Sequence, residues 1–168
     1  MINNMLYTRK YISPIGEMTL SSDGYSLTGL WFTGQKYYPD NLPENDHDIR
    51  LFDETFQWLD AYFSGRKPDF DIPVSFSGTE FQIMVWNMLL EIPYGKTVSY
   101  GDVSEMLRNK YGHQTSARAV GTAVGHNPIS IIVPCHRVIG FDGSLTGYAG
   151  GLERKIFLLD LEKNDPLK

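Results

Sequence analysis

At 168 residues, with 42% hydrophobic and 21% charged side chains, the chain has the size and balance of a soluble globular protein of one ordinary domain or two small ones. No apolar run approaches the ~20 residues that span a bilayer, which excludes a membrane-crossing helix, and a single cysteine excludes a disulfide framework and a multi-cysteine zinc site. The net charge of −5 argues against indiscriminate nucleic-acid binding, yet residues 1–93 hold six Lys/Arg against thirteen Asp/Glu while residues 94–155 hold seven against four, an asymmetry compatible with a DNA-facing second half.

The opening MINNMLYTRK lacks the apolar stretch of a signal peptide, so a cytoplasmic protein is expected. LYTRKYI, EMTLSSD and LTGLWFT then read as short strands, separated by the turn signals Pro14-Ile15-Gly16 and Asp23-Gly24. The polar, Pro-containing YYPDNLPENDHD is an exposed loop. In IRLFDETFQWLDAYF, the residues Leu51, Phe52, Phe56, Leu59 and Phe63 recur at helical spacing, so an amphipathic helix is expected, closed by Ser64-Gly65. RKPDFDIPVSF, with prolines at 68 and 73, reads as an extended linker. The expected organisation is an N-terminal unit with its linker over 1–75 and a second unit over 76–168.

The second unit reads mainly as helices. TEFQIMVWNMLLEI is strongly apolar and stops at Pro93-Tyr94-Gly95. SYGDVSEMLRN begins with Ser99 and Asp102 in the form of a capping box, with Val103, Met106 and Leu107 as its buried face. The stretch RNKYGHQT reads as a loop over Arg108–Thr115, and SARAVGTAVGHNP as the next helix. The apolar SIIVP reads as a strand leading into Cys135; the Gly-rich GFDGSLTGYAGG and a last helix, LERKIFLLDLE, follow.

Two consecutive helices joined by a turn are either an ordinary helical hairpin or a helix-turn-helix, whose second helix enters DNA. At about 100° per residue, Ala117, Val120 and Val124 cluster on the core side, while Arg118 and Thr122 project outward, flanked by Ala119, Gly121 and Gly125. Each glycine inside a helix costs about 1 kcal/mol relative to alanine. Such a thin face suits either close helix–helix packing or close approach to a narrow groove, with Arg118 free to fill a gap in a base stack.

A free cysteine is commonly a small buried hydrophobe. To act as a nucleophile it needs its thiolate, scarcely populated at neutral pH for an ordinary thiol, and therefore a base or positive charge nearby. His136 and Arg137 follow Cys135 directly, but neighbours in an extended chain point to opposite faces. His136 would then act through a turn or a bridging water, and it needs an acceptor to fix its tautomer. On the last helix, Leu152, Ile156 and Leu159 form the expected apolar face, and Glu162 falls at its edge. It is either that acceptor or a solvated glutamate.

Pro134-Cys135-His136-Arg137-Val138-Ile139-Gly140, preceded by Gly125-His126-Asn127-Pro128 and by Ala117-Arg118-Ala119-Val120-Gly121, resembles the O6-alkylguanine-DNA alkyltransferase family. The similarity spans roughly Phe76–Glu162 and includes FSGTEFQ, IPYGKTVSY and the GYAGG loop. The resemblance implies an α+β protein: a small N-terminal β-sheet domain with a helix, ribonuclease H-like, followed by a mainly helical domain with a helix-turn-helix and an active-site Cys loop. It implies that Cys135 accepts the alkyl group, that His136 acts through a water as the base, and that Glu162 orients His136. Tyr100 would assist the guanine leaving group. Arg118 would replace the extruded base, with Ala119, Gly121, Thr122 and Gly125 facing DNA. Asn127 would join the recognition helix to the active-site strand, and Val138, Tyr148, Ala149 and Gly150 would line the base pocket.

The implied function is direct reversal of O6-alkylguanine damage in double-stranded DNA, once per molecule, with O4-alkylthymine left open. It would proceed by minor-groove binding, as a monomer, without cofactor or metal. The loop between the two DNA-facing helices is longer than the family's short turn, and the first domain lacks the ligands for the structural zinc that some relatives carry. A sister group of alkyltransferase-like proteins has tryptophan where Cys135 stands. The rival readings are a Cys-His-Glu hydrolase that turns over and a helix-turn-helix regulator that performs no chemistry.

Overall fold

A computed structural model describes residues 5–164. Three strands, β1 (Tyr7–Ser13), β2 (Gly16–Ser22) and β3 (Leu27–Phe32), stand where the β-type runs and turn residues predict strands, and form an antiparallel meander in the order β1-β2-β3. Met18 and Leu20 of the central strand enter the core, while Thr19 and Ser21 on its other face bond to Thr33, Tyr38 and Thr28. The outer edge of β1 is covered by the loop before the first helix, which holds Thr8 through Asn45 Oδ1 (2.9 Å) and the His47 amide (3.0 Å). A covered edge is a blunted site for strand pairing.

Helix α1 (Arg50–Phe63) buries Leu51, Phe52, Thr55, Leu59 and Tyr62, and complete burial of a Leu or Phe contributes about 1.5–3 kcal/mol. The extended linker is pinned, not free: Leu27 N donates to Pro73 O (2.8 Å) and Ser75 N to Leu27 O (3.0 Å) along the open edge of β3. Farther along that edge, Leu30 N donates to Pro128 O (2.9 Å) and Ser130 N to Leu30 O (2.8 Å). The N-terminal sheet therefore anchors the segment that leads to Cys135.

Helices α2 (Glu80–Leu89), α3 (Tyr100–Tyr111) and α4 (Ala117–Gly125) pack on one another, and Trp86 Nε1 of α2 donates to Ala123 O of α4 at 2.9 Å. The capping box of Ser99 and Asp102 is present, as is one of Thr79 and Gln82 on α2. A short parallel pair, β4 (Val98–Ser99) with β5 (Val138–Ile139), ties the start of α3 to the chain after Cys135. Helix α5 (Leu152–Lys163) closes the described chain.

Four local expectations change. Helix α3 continues through Tyr111, so the expected Arg108–Thr115 loop shrinks to residues 112–116. Arg108 and Lys110 suit a helix C-terminus and pair with Glu105 and Glu91, each at 2.7 Å, and Gly112 ends the helix at φ 67°. On α4, Ala117 is exposed and Ala123 joins Val120 and Val124 in the core. The SIIVP run is a series of tight turns, not a strand: Ile132 N donates to Ser130 O and Cys135 N to Val133 O, each at 2.8 Å, and Ile131 sits at φ 70°. Its apolar character reflects burial, which periodicity cannot assign to a backbone shape. On α5 the buried face is Lys155, Leu158 and Glu162, while Leu152 and Ile156 are exposed.

Candidate active site

Cys135 starts a single 3-10 turn, Cys135–Arg137. The turn replaces the extended geometry that would have placed Cys135 and His136 on opposite faces, and all three of its residues are buried. Ile131, a β-branched residue in left-handed backbone, is strained by about 1–3 kcal/mol. Asn127 holds this approach: its Nδ2 donates to Val133 O (2.8 Å) and Ile129 O (3.3 Å), and its Oδ1 accepts from Ile129 N (3.0 Å). The side chain thus links the end of α4 to the turns that present the sulfur.

Behind the turn, Glu162 gathers four donors. His136 Nε2 lies 2.5 Å from Oε2, Tyr62 OH donates to Oε2 at 2.6 Å, and Arg137 Nε and Gly95 N donate to Oε1 at 2.8 and 2.9 Å. Burial works to raise the Glu162 carboxyl, but the hydrogen bonds and charges of His136 and Arg137 outweigh it and hold the group well below the ordinary carboxylate range. Burial also lowers His136, against the opposing pull of Glu162. A neutral imidazole facing an ionised acceptor keeps its proton on Nε2. Nδ1 is then the free lone pair, and it is buried without a protein hydrogen-bond partner among the described residues. Such a nitrogen can accept a proton.

Burial pushes the Cys135 thiol up, while the Asn127 amide and the Lys155 ammonium act in the opposite sense. Lys155 is completely buried, and its Nζ donates to Val138 O (2.7 Å), Thr146 O (2.8 Å) and Gly147 O (3.4 Å). Desolvation lowers its pKa to about 8. It fastens the Gly-rich loop to β5 and places a positive charge near the sulfur. The resting pair is therefore a neutral thiol and a neutral imidazole, with charge created only when the proton moves.

Cys135 opens onto a cleft of about 620 Å³. Tyr100, Arg118, Gly121, Thr122, Gly125, Tyr148 and Ala149 line it, joined by Lys36, Tyr37, His126 and Thr146. Arg118 and Thr122 are exposed on α4, and Thr146 Oγ1 donates to Tyr100 OH at 3.3 Å. Val138 is buried in β5, and Gly150 packs where a Cβ would meet Tyr148 and Phe32 at 2.7 and 2.8 Å. Ala119 stands on the first turn of α4, its amide donating to the cap Ser116 Oγ at 3.1 Å. Neither Val138, Gly150 nor Ala119 is among the cleft-lining residues. The glycines of α4 are not filled by protein: a Cβ at Gly125 would meet nothing within 4 Å, and one at Gly121 would rest 3.6 Å from Tyr100.

Sequence reasoning missed Tyr62, Lys155 and the Gly95 amide as parts of this network, and did not give Arg137 its carboxylate. Tyr62 falls three residues after Leu59 on the buried face of α1, and a buried phenol requires a partner. Lys155 precedes Glu162 by seven residues, two helical turns, so both share one face. The Gly95 amide carries no sequence signal. Among the described residues no group of three or more His, Cys, Asp or Glu side chains is placed to hold a metal, and no helix is long and apolar enough to cross a membrane.

Two family models match the chain: 6-O-methylguanine DNA methyltransferase, DNA binding domain, over residues 80–164, and its ribonuclease-like domain over residues 6–76. The chain is similar to the methylated-DNA--protein-cysteine methyltransferase of Mycobacterium leprae, at 49% identity over 97% of this chain and 96% of that protein. Its fold is similar to the crystal structure of the Mycobacterium tuberculosis O6-methylguanine methyltransferase, with a TM-score of 0.82 and 47% identity over 96% of this chain and 94% of that one. The Mycobacterium tuberculosis protein in complex with DNA is similar at a TM-score of 0.82 and 47% identity, covering 94% and 93% of the two chains. Identity of this extent over nearly the whole length, with both family models matched in order, means that the chain belongs to the 6-O-methylguanine DNA methyltransferase family.

Proposed function

We propose that this chain repairs alkylated DNA by moving the alkyl group from guanine O6 to Cys135, once per molecule. The single observation that carries the reading is the buried chain of Cys135, His136 and Glu162 at a cleft whose rim is the exposed, glycine-thinned face of α4. A carbon stacked inside a duplex is out of reach of a buried sulfur, so the nucleotide must be extruded. In this reading α4 enters the minor groove with Ala119, Gly121, Thr122 and Gly125 against the backbone, and Arg118 fills the gap in the stack. The matched ranges support a division into an N-terminal unit with its linker, residues 1–75, and a DNA-binding and reaction unit, residues 76–168.

The chemistry follows from the resting protonation states. His136 Nδ1 takes the Cys135 proton through a water, and Glu162 fixes the tautomer and balances the imidazolium that forms. The thiolate attacks the alkyl carbon, the carbon–oxygen bond breaks, and its electron pair leaves with the guanine. Tyr100 donates a hydrogen bond or proton to that leaving base, while Tyr148 and Ala149 of the cleft wall hold it. Asn127 keeps the sulfur in line with α4. The product thioether has no proton to lose and no good leaving group, so the protein is spent. The protein acts as a cytoplasmic monomer without a cofactor.

Intact mass after mixing with duplex DNA that contains O6-methylguanine tests the proposal. The expected result is one added methyl group, mapped to the peptide bearing Cys135, with at most one lesion repaired per protein. Turnover well beyond one identifies a hydrolase-like enzyme instead, and duplex affinity without any added mass identifies a regulator.

A further inference from the structure

We infer that Lys36, on the loop after β3, is a DNA-phosphate contact of the N-terminal unit, held in place by the stacking of Tyr37 on His126. This inference rests on the DNA reading above. The first 93 residues are strongly acidic, and of their six Lys/Arg only Lys36 lines the Cys135 cleft. The cleft's lining contains Lys36, Arg118 and His126 and no Asp or Glu. In a chain of net charge −5, a cleft whose charged side chains are Lys36 and Arg118, with no carboxylate, focuses positive potential toward a polyanion.

The loop is fixed where it stands. Lys36 N donates to Ala149 O at 3.2 Å, which joins it to the Gly-rich loop. Tyr37 adopts φ 64°, a left-handed conformation unusual for a residue with a Cβ, and its ring lies 4.0 Å from that of His126 at 24°. His126 in turn is fixed to α4, its Nδ1 2.8 Å from Thr122 O. Strain of this kind persists only where surrounding contacts over-determine it. The result is a lysine from the sheet-bearing unit at the cleft that α4 lines, its Nζ 5.1 Å from the Tyr37 ring centroid, exposed and without a carboxylate partner among the described ion pairs. Phosphates carry the salt-dependent part of DNA affinity.

The test is the dependence of duplex affinity on salt for the full chain, with a fluorescent duplex as the probe. Lys36→Ala should lower the slope of log K against log salt by about one, weaken binding to different sequences alike, and leave the melting temperature unchanged. Lys36→Arg should keep the slope. Lys67→Ala, on the exposed linker outside this cleft, removes the same charge and should leave the slope alone. Tyr37→Gly relieves the backbone but removes the stack, so it should weaken binding several-fold without loss of folded protein. An unchanged slope in Lys36→Ala, or an equal drop in Lys67→Ala, overturns the contact while leaving the DNA reading intact. Absence of salt-dependent duplex binding by the unaltered protein overturns both.

Discussion

His136 Nε2 and Glu162 Oε2 meet at 2.5 Å across 26 residues of sequence, inside a site where neither side chain reaches solvent. The pairing decides which nitrogen carries the proton and so which one can receive another. Glu162→Gln keeps the shape, but its amide can donate as well as accept, and Arg137 loses its counter-charge. Breaking a buried pair costs about 3–5 kcal/mol, and losing the oriented base slows transfer by up to about 10⁴-fold. Because His136 and Glu162 act as one unit, the double variant should lose little more than the worse single one. Thermal melts and single-turnover rates check both parts; multiplicative losses would count against a shared network.

The same network sets a pH window. His136 is lowered from 6.5 and Glu162 from 4.5, so over each interval the unfolded chain binds more protons than the folded one and stability rises with pH. Read downward, His136 withdraws its contribution as pH falls below about 6.5, and Glu162 adds its own loss below about 4.5. Melting temperature should fall in that order on acidification. Alkyl transfer should hold below the ordinary histidine value, because His136 stays neutral there and is the base on the proposed mechanism. A rate that already halves at pH 6.5 would contradict the burial of the imidazole.

Open space beside Gly125 and a tolerant contact at Gly121 separate two roles for the thin face of α4. Gly121→Ala should raise stability by up to about 1 kcal/mol through helix propensity, and Gly125→Ala should be close to neutral. Both should weaken duplex binding, since on the proposed docking an added methyl stands where the DNA backbone approaches. Melts and duplex titrations decide: a clear loss of stability would return these glycines to internal packing.

Arg118 and Tyr100 line the same cleft but should fail differently. Extruding a base costs a few kcal/mol, and a free alkylated base bears none of that cost. Arg118→Ala should slow duplex repair by an amount worth roughly 1–3 kcal/mol and leave the reaction with free O6-benzylguanine little changed, if the pocket admits it. Tyr100→Phe should slow both, because on the proposed mechanism its hydroxyl serves the leaving purine itself. Equal damage to both substrates in Arg118→Ala would move that residue into the reaction pocket or the fold.

Sequence by itself determined the elements whose signals are local. Short β-type runs and turn residues specify β1 to β3, the Ser99–Asp102 box specifies the start of α3, and periodicity specifies Leu51, Phe52 and Leu59 of α1 and Val120 and Val124 of α4 as core, with Arg118 and Thr122 outward. It also supplied Cys135 with His136 beside it and Glu162 as a candidate partner. Tertiary structure alone decided what these residues do to one another. Hydrophobic periodicity assigns apolar side chains to the interior, so it placed Leu152 and Ile156 inward on α5; the fold instead buries Lys155 and Glu162 there. Those polar groups can be buried because partners arrive from elsewhere: Tyr62 from α1, the Gly95 amide from the loop after α2, and the carbonyls of Val138, Thr146 and Gly147. A buried polar group is tolerated only when its hydrogen bonds are met, and partners a hundred residues apart in the chain, as Tyr62 and Glu162 are, leave no periodic trace.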